Sequence, residues 1–370
     1  MWVYRSDIVA AEGIAAGALV GVADEREKFL GTALYSSASQ IAIRMISREA
    51  VNDFDGLLRK RIQEAMAYRE RVVRDTDAYR IVFSEADFLP GLIVDRYNDL
   101  LSLQVLTQAM DTEAVRQVIV SELGEQLKPA AIAERVDPRV RELEQLPARS
   151  SSVLQGEKKS TVFSMNGVRF HHEAFEGQKT GAFLDQRENY AAAAQYARGE
   201  ALDVFCYQGA FALHLAQHCS KVTGVDSSRP ALEVADRNAA LNGREIEWIE
   251  ANAFDLLRDY ANAGQRYDTI VLDPPAFAKS KSNLETALRG YKELNLRALK
   301  MLRPGGVLVT CSCSYHVSPT EFLAVVAQAS QDRHRNLRMV ENRTQAKDHP
   351  MLLTVPETAY LKCIVLAVTG

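Results

Sequence analysis

The chain has 370 residues, 47% of them hydrophobic and 25% charged, with a formal net charge of −4. That is ordinary globular composition at a length suited to two or three domains, and it carries no global basic field that would announce nucleic acid, so local patches have to be judged singly. No apolar run approaches the ~18 residues of a membrane span, which predicts no membrane partner. Five cysteines with no signal peptide ahead of them predict free thiols and a cytoplasmic location rather than a disulfide framework. Cys311 and Cys313 form a C-x-C with no second pair or histidine cluster beside it, which predicts no metal site.

In chain order, residues 1–50 are β-rich and turn-punctuated, with strands predicted at 8–10, 19–22, 29–35 and 41–46, as in a small barrel. Residues 52–74 read as a helix with Leu57, Leu58, Ile62 and Met66 at helical spacing. Arg59, Lys60, Arg61, Arg69, Arg71 and Arg74 lie on its other face, with Glu64 and Glu70 mixed in. Such a face suits a solvated surface, and it also suits a stripe that tracks phosphates. Strands follow at 80–83, 92–95 and 100–106, then a helix over 112–123 and a strand over 130–133. Residues 138–159 are polar, contain Pro147 and three serines at 150–152, and predict an exposed connector. The expected division is a first module over 1–50, a central α+β domain over 53–160 and a third domain over 161–370.

The third domain is organised around residues 201–226, ALDVFCYQGAFALHLAQHCSKVTGVD. An apolar strand (201–205), a turn with Gly209, a helix (211–216) and a second strand (222–225) ending on Asp226 make half of a nucleotide-binding α/β sheet. Gly209 would let backbone approach a ligand, and Asp226 would accept from two ribose hydroxyls. A single glycine in the turn, without G-x-G-x-x-G, lacks the pyrophosphate cradle of a dinucleotide site. The better match is an adenosine cofactor without phosphates, S-adenosylmethionine. A bare α/β core would explain the same pattern without a ligand.

Ahead of this core, FEGQKTGAFLDQREN (175–189) gathers Lys179, Phe183, Asp185, Gln186 and Arg187 around two glycines before a helix over 190–196. After it come a helix over 230–241, a strand over 246–249 and Asn252, placed where such folds hold a residue against the adenine amino edge. A strand over 269–272 runs into Asp273-Pro274-Pro275-Ala276-Phe277, which sets Asp273 at the carboxyl edge of the sheet, where α/β ligands bind. The two prolines fix the backbone after it. A helix over 291–302, a turn over 303–306 and a strand over 307–310 lead to Cys311-Ser312-Cys313-Ser314-Tyr315. The chain closes with a helix near 321–329 and strands near 351–354 and 360–368.

Taken together and in order, SEADFLPGLIVDRY (84–97), KTGAFLDQR (179–187), DVFCYQGAF (203–211), DPPAF (273–277), SCS (312–314) and DHP (348–350) resemble the three-domain, PUA-containing ribosomal RNA cytosine-C5 methyltransferases over nearly the whole chain. The resemblance implies a PUA-like β-barrel, a central α+β domain and a C-terminal Rossmann-like class I methyltransferase domain. It implies S-adenosylmethionine held by Asp203, Phe205, Tyr207, Gly209, Phe211, Asp226, Ser227, Asn252 and Asp273, with Gln186 and Phe183. It also implies large-subunit (23S) ribosomal RNA met by Lys179, Arg187, Pro274 and Phe277. The sequence departs from the family in three places. A strand and helix usual ahead of Trp2 are missing, so a misassigned start or an incomplete first module is expected. Cys206-Tyr207-Gln208-Gly209 replaces Ser-Tyr-Thr-Gly, and Asn252 replaces a more usual Asp.

Cytosine C5 is a poor nucleophile, and a thiolate adding to C6 turns it into an enamine carbon able to take a methyl group. Cys313 aligns with the family's nucleophile, and Asp273 would hold or protonate the N3 edge. Cys311, two residues earlier on an extended strand, reads as core or support; Cys206, Cys219 and Cys363 read as small buried hydrophobes. A Lys or Arg near Cys313 would be needed to lower its pKa, and the sequence does not identify one. The target base must be unstacked to be reached. Two other readings stay open: an exocyclic-amine RNA methyltransferase using the D-P-P segment, and a non-catalytic RNA-binding assembly factor. Mixed charge along the helices leaves a homodimer open as well.

Overall fold

The computed structural model describes residues 2–177, 181–278 and 280–369. Contacts divide the chain into two units, Met1–Met165 with His172–Leu184 and Lys347–Thr358, and Asn166–His171 with Asp185–Ala346 and Ala359–Gly370.

The first unit begins with a four-stranded antiparallel sheet in the order β1 (Trp2–Tyr4), β4 (Ile41–Ser47), β3 (Phe29–Tyr35), β2 (Leu19–Ala23). Ala33, Tyr35, Ala42 and Ile43 form its small core, with Val20 and Val22 packed against it. Residues 8–10, expected as a strand, are irregular. Ile8 joins the small core from this loop, and the place beside β4 is taken by β1, too short to stand out as a periodic run.

A second sheet runs β5 (Ala78–Phe83), β6 (Leu92–Tyr97), β7 (Leu100–Val105), β8 (Ala131–Glu134), β9 (Ser152–Gly156), antiparallel except for the β7–β8 pair. Helix α1 (Phe54–Val72) starts where the Asp53 side chain accepts from the Gly56 N–H, the usual way of satisfying a free first-turn donor. It buries Leu58, Ile62 and Ala65 beside Val115, Ile119 and Leu123 of α2 (Glu113–Leu127), over Ile81, Val94 and Leu103 of the sheet. The expectation of an open connector over 138–159 is corrected. An Asp137 cap with Pro138 in the first turn starts α3 (Pro138–Leu143), and β9 pairs with β8. With only two apolar residues, β9 owes its place to the sheet edge it completes.

The basic face of α1 is corrected too. Arg69 is 1% exposed and forks onto Asp87, Arg59 pairs with Glu122, and Arg61 donates to the carbonyls of Ile46 and Phe88. Arg74 donates to the carbonyls of Glu70, Arg71 and Val73, closing the end of its own helix. Guanidinium groups held this way maintain the unit, so the six-residue phosphate stripe reduces to exposed Lys60 and Arg71.

A ribbon of β10 (Ser160–Met165) and β11 (Val168–Glu173) carries the chain onward, followed by α4 (Arg187–Tyr196). The second unit then alternates β12 (Glu200–Val204), α5 (Ala210–Leu215), β13 (Lys221–Asp226), α6 (Arg229–Leu241), β14 (Glu247–Glu250), α7 (Ala253–Ala263), β15 (Tyr267–Leu272), α8 (Leu284–Met301), β16 (Leu302–Ser312) and α9 (Pro319–Asp332), ending on β17 (Asn336–Arg343) and β18 (Lys362–Thr369). The sheet order is β14-β13-β12-β15-β16-β18-β17; the first five strands are parallel, and β18 is antiparallel to both neighbours. Leu202, Val204, Ile270, Leu272 and Leu308 pack against Leu257, Leu294, Leu299 and Phe322 of the helices. Strand order reverses between β12 and β15. The crevice beyond the carboxyl ends of strands at such a switch point is where α/β folds bind ligands.

Two further expectations are corrected. Residues 303–306 lie within β16 as a bulge: Leu302 is level with Tyr267 and Val307 with Thr269, and Gly305 takes a φ of 73°. Residues 351–354 form no strand, only the isolated bridge Leu352–Val355, which Leu353 leaves with 94% of its surface exposed. Among the described residues no helix is long and apolar enough to cross a membrane.

Candidate active site

The loop from β12 to α5 is held in unusual backbone geometry. Phe205, Tyr207 and Gly209 have φ of 68°, 48° and 81°, and positive values at two non-glycine residues store strain of the kind found at functional sites. Its ties run to β13. The Val225 carbonyl accepts from the N–H groups of both Phe205 and Cys206, and the Asp226 Oδ2 accepts from Tyr207 N–H at 2.9 Å. A Cβ on Gly209 would meet the Trp248 ring at 2.6 Å, so the glycine is required by its own turn and by this indole.

Asp203 lies at the centre. It is fully buried, its Oδ2 accepts from Ala212 N–H at 2.9 Å, and its Oδ1 has no hydrogen-bond partner among the described residues. Burial pushes its pKa up to about 8, opposed by the Ala212 N–H and reinforced by repulsion from Asp273 and Asp226. A buried carboxylate oxygen left open is costly unless a ligand donor completes it. Asp226, at the end of β13, accepts from Tyr207 and, through Oδ1, from Ser228 N–H. Each oxygen keeps a lone pair for a hydroxyl. Ser227 is exposed beside it. Asn252 is exposed and caps α7, its Oδ1 accepting from Phe254 and Asp255 N–H, so that its amide NH2 takes no part in the cap. An amine for Asp203 and hydroxyls for Asp226 are what an adenosyl amino-acid cofactor offers, so these residues fit one.

The D-P-P segment meets the C-x-C segment at the neighbouring strand ends. Asp273 N–H donates to the Val204 carbonyl at 3.3 Å, tying the segment to β12. The Cys313 thiol donates to the Pro274 carbonyl at 3.8 Å. On either side of Cys313 two serines are anchored. Ser312 Oγ is 3.0 Å and Ser314 Oγ 2.9 Å from the Tyr291 hydroxyl, and Ser314 Oγ also accepts from Ala278 N–H. Both serines are fully buried while Cys313 is half-buried. The S-C-S pattern thus pins the thiol between two anchors. Phe277 packs on Tyr291, with ring centroids 4.8 Å apart, and on Phe254. Cys311 is buried in register with Cys363 and lies beside Gln186; burial raises its pKa well above the ordinary thiol value, which suits a core residue.

The structure places the other expected site residues as follows. Phe211 is 4% exposed with its ring edge-on to Tyr190, a core position. Arg187, expected against RNA, is 2% exposed at the start of α4, and its carbonyl accepts from Asn166. Gln186 is 2% exposed and accepts from Asn189. Phe183 belongs to the first unit. Lys179 lies outside the described residues. The sequence reading missed Trp248, Tyr291 and Lys362. Only Tyr291 had a local signal, since serines at alternate positions around a cysteine ask for a common partner.

A doubly wound sheet with a reversed last strand, a strained first turn and acids at successive strand ends defines a cofactor-dependent transferase of the Rossmann-like class. The chain belongs to the S-adenosylmethionine-dependent methyltransferase family, whose model matches residues 82–366, and a PUA-like domain model matches residues 1–48. Its cofactor is S-adenosylmethionine. The chain is 39% identical to the ribosomal RNA large subunit methyltransferase I of Shewanella denitrificans, covering 99% of this chain and 95% of that protein. It is 38% identical to the protein of the same name from Photobacterium profundum, covering 98% and 93%. Among solved structures, a Streptococcus mutans SAM-dependent methyltransferase shares the fold with a TM-score of 0.83 at 19% identity, over 99% of this chain and 95% of that one.

Proposed function

We propose that this protein methylates C5 of a cytosine in large-subunit (23S) ribosomal RNA, in the cytoplasm, through a covalent bond between Cys313 and C6. The relatives named above act, by their names, on large-subunit ribosomal RNA. The observation that carries the C5 reading is the Cys313 thiol set against the Pro274 carbonyl, one residue from Asp273. Methylation of an exocyclic amine would need the acceptor oxygens of the D-P-P segment and no thiol.

In this reading Asp203, Asp226 and Asn252 hold the cofactor, which supplies an electrophilic methyl group on sulfur. Phe205, Tyr207 and Gly209 shape its loop, and Ser227 lines its rim. The Cys313 thiolate adds to C6 while Asp273 holds or protonates N3, so that C5 becomes nucleophilic. C5 would take the methyl group as its bond to the sulfonium breaks, the electron pair staying on sulfur as a neutral thioether. The C5 proton then leaves to solvent or a base, any N3 proton returns to Asp273, and the Cys313 thiolate is expelled as the ring is restored. Pro274 and Phe277 border the base, which must be unstacked to enter. Residues 1–50 serve as a PUA-like RNA-binding module, 53–160 as a central domain and 161–370 as the methyltransferase domain.

The test is nucleoside mass spectrometry of unmodified large-subunit rRNA after incubation with the protein and S-adenosylmethionine. The expected product is 5-methylcytidine. A methyl group on an exocyclic amine would overturn the reading and leave Cys313 a structural residue.

A further inference from the structure

Lys362, the first residue of β18, was not singled out by any motif, yet its ammonium is deeply engaged. Its Nζ donates to three carbonyls: Ser314 at 2.7 Å, Val317 at 3.0 Å and Tyr360 at 2.8 Å. The first two are the ends of the turn that follows Cys313, a turn closed by Val317 N–H on the same Ser314 carbonyl. The third anchors the clamp to Tyr360, whose hydroxyl donates to Asp185 at 2.6 Å. An ammonium has three N–H donors and no lone pair, so with all three engaged Lys362 is no base. It is a cation fixed beside the residue that follows the thiol.

We propose that Lys362 is the positioning residue that fixes the Cys313 turn and stabilises the Cys313 thiolate by its charge. The inference rests on the reading of Cys313 as nucleophile. Lys362 and Cys313 interact electrostatically in the sense that favours the charged pair, while burial lowers the Lys362 pKa to about 8. The other titratable groups around the turn and its neighbouring strands are Tyr315 and His316 within the turn, Tyr291 from α8, Asp273 ahead of Pro274, Cys311 and Cys363 on β16 and β18, Tyr360, and Asp185 through Tyr360. Burial keeps Tyr291 and Cys311 in their neutral forms near neutrality. Tyr291 and Lys362 both interact electrostatically with Cys313, and of the two Lys362 is the cation, which the thiolate favours. It supplies the lysine that the thiolate chemistry required and the sequence could not identify.

The test is the pH profile of iodoacetamide alkylation at Cys313, read peptide by peptide on the full chain. Lys362→Met is expected to raise the midpoint by about one unit, an approximately tenfold slower reaction at pH 7. Lys362→Arg, which keeps the charge, stays nearer the wild-type midpoint. A folded, cofactor-binding Lys362→Met protein with the wild-type profile overturns the proposal. Because Lys362→Met strands three carbonyls and can cost the fold, the reciprocal measurement uses Cys313→Ala. By linkage the Lys362 side chain, followed by NMR with carbon-labelled lysine, titrates at lower pH once the thiolate is gone. An unchanged Lys362 midpoint overturns the pairing, and does so whether or not the protein methylates cytosine.

Discussion

Replacing Cys313 with alanine is expected to lower methyl transfer to cytosine by on the order of 10³-fold or more, the scale on which enzymes lose rate when their nucleophile is removed. The sulfur is half-buried and held by the Pro274 carbonyl, between serines anchored on Tyr291. Its replacement by a methyl group removes no partner of Ser312 or Ser314. The site should therefore keep its shape, and S-adenosylmethionine should bind as before. Cys313→Ser keeps the outline but offers a hydroxyl that stays protonated near neutrality, so it is expected to fail with it. Single-turnover transfer with saturating cofactor separates this loss of chemistry from a loss of binding. Retention of a tenth or more of the wild-type rate by the alanine variant would remove the thiol from the mechanism.

The second large effect is in stability. Asp203 has its pKa raised by burial to about 8 in the folded protein, against an ordinary value of 3.8. Below pH 4 both states hold the proton. Between pH 4 and 8 the unfolded chain releases it and the folded protein keeps it. The contribution of this group is thus fully present in acid and is lost as pH rises towards 8, at ~1.4 kcal/mol per pH unit and roughly 6 kcal/mol in all. Asp203→Asn mimics the protonated acid and cannot titrate. Its stability relative to wild type is expected to improve steadily from pH 5 to pH 8 in cofactor-free protein. Urea unfolding followed by Trp248 fluorescence in a Trp2→Phe background reports it, since that indole packs against Gly209 and Gly224 in the same unit. A constant difference between the two proteins over that range would mean that Asp203 is ionised in the folded state.

What the sequence made legible was local. Apolar strands such as 201–204 and 269–272 lie buried on both sides of the sheet and therefore read as continuous runs. The acids at the ends of β13 and β15, Asp226 and Asp273, stand where the sheet must present its ligand. The family resemblance extended this to Cys313. Elements that depend on distant partners were harder to see. β9 exists because β8 offers an edge. Residues 303–306 carry Pro and Gly like a turn, yet they continue β16 as a bulge. Basic residues spaced along α1 looked like one face until Asp87 and Glu122, from other elements, claimed Arg69 and Arg59. Arg187 sits among polar neighbours in sequence and is buried in space. Lys362 is forty-nine residues beyond Cys313, so no local spacing connects the two; pairing of β18 with β16 does.

The most direct test of the central claim is to incubate the protein and S-adenosylmethionine with large-subunit RNA transcribed with 5-fluorocytidine. Fluorine at C5 cannot leave as a proton does, so a thiol bonded to C6 stays bonded after the methyl group has moved. The account predicts a denaturation-stable protein–RNA complex whose digest places the nucleotide on Cys313, and no such complex with Cys313→Ala. Efficient methylation of ordinary RNA together with no covalent complex on the fluorinated RNA would contradict it.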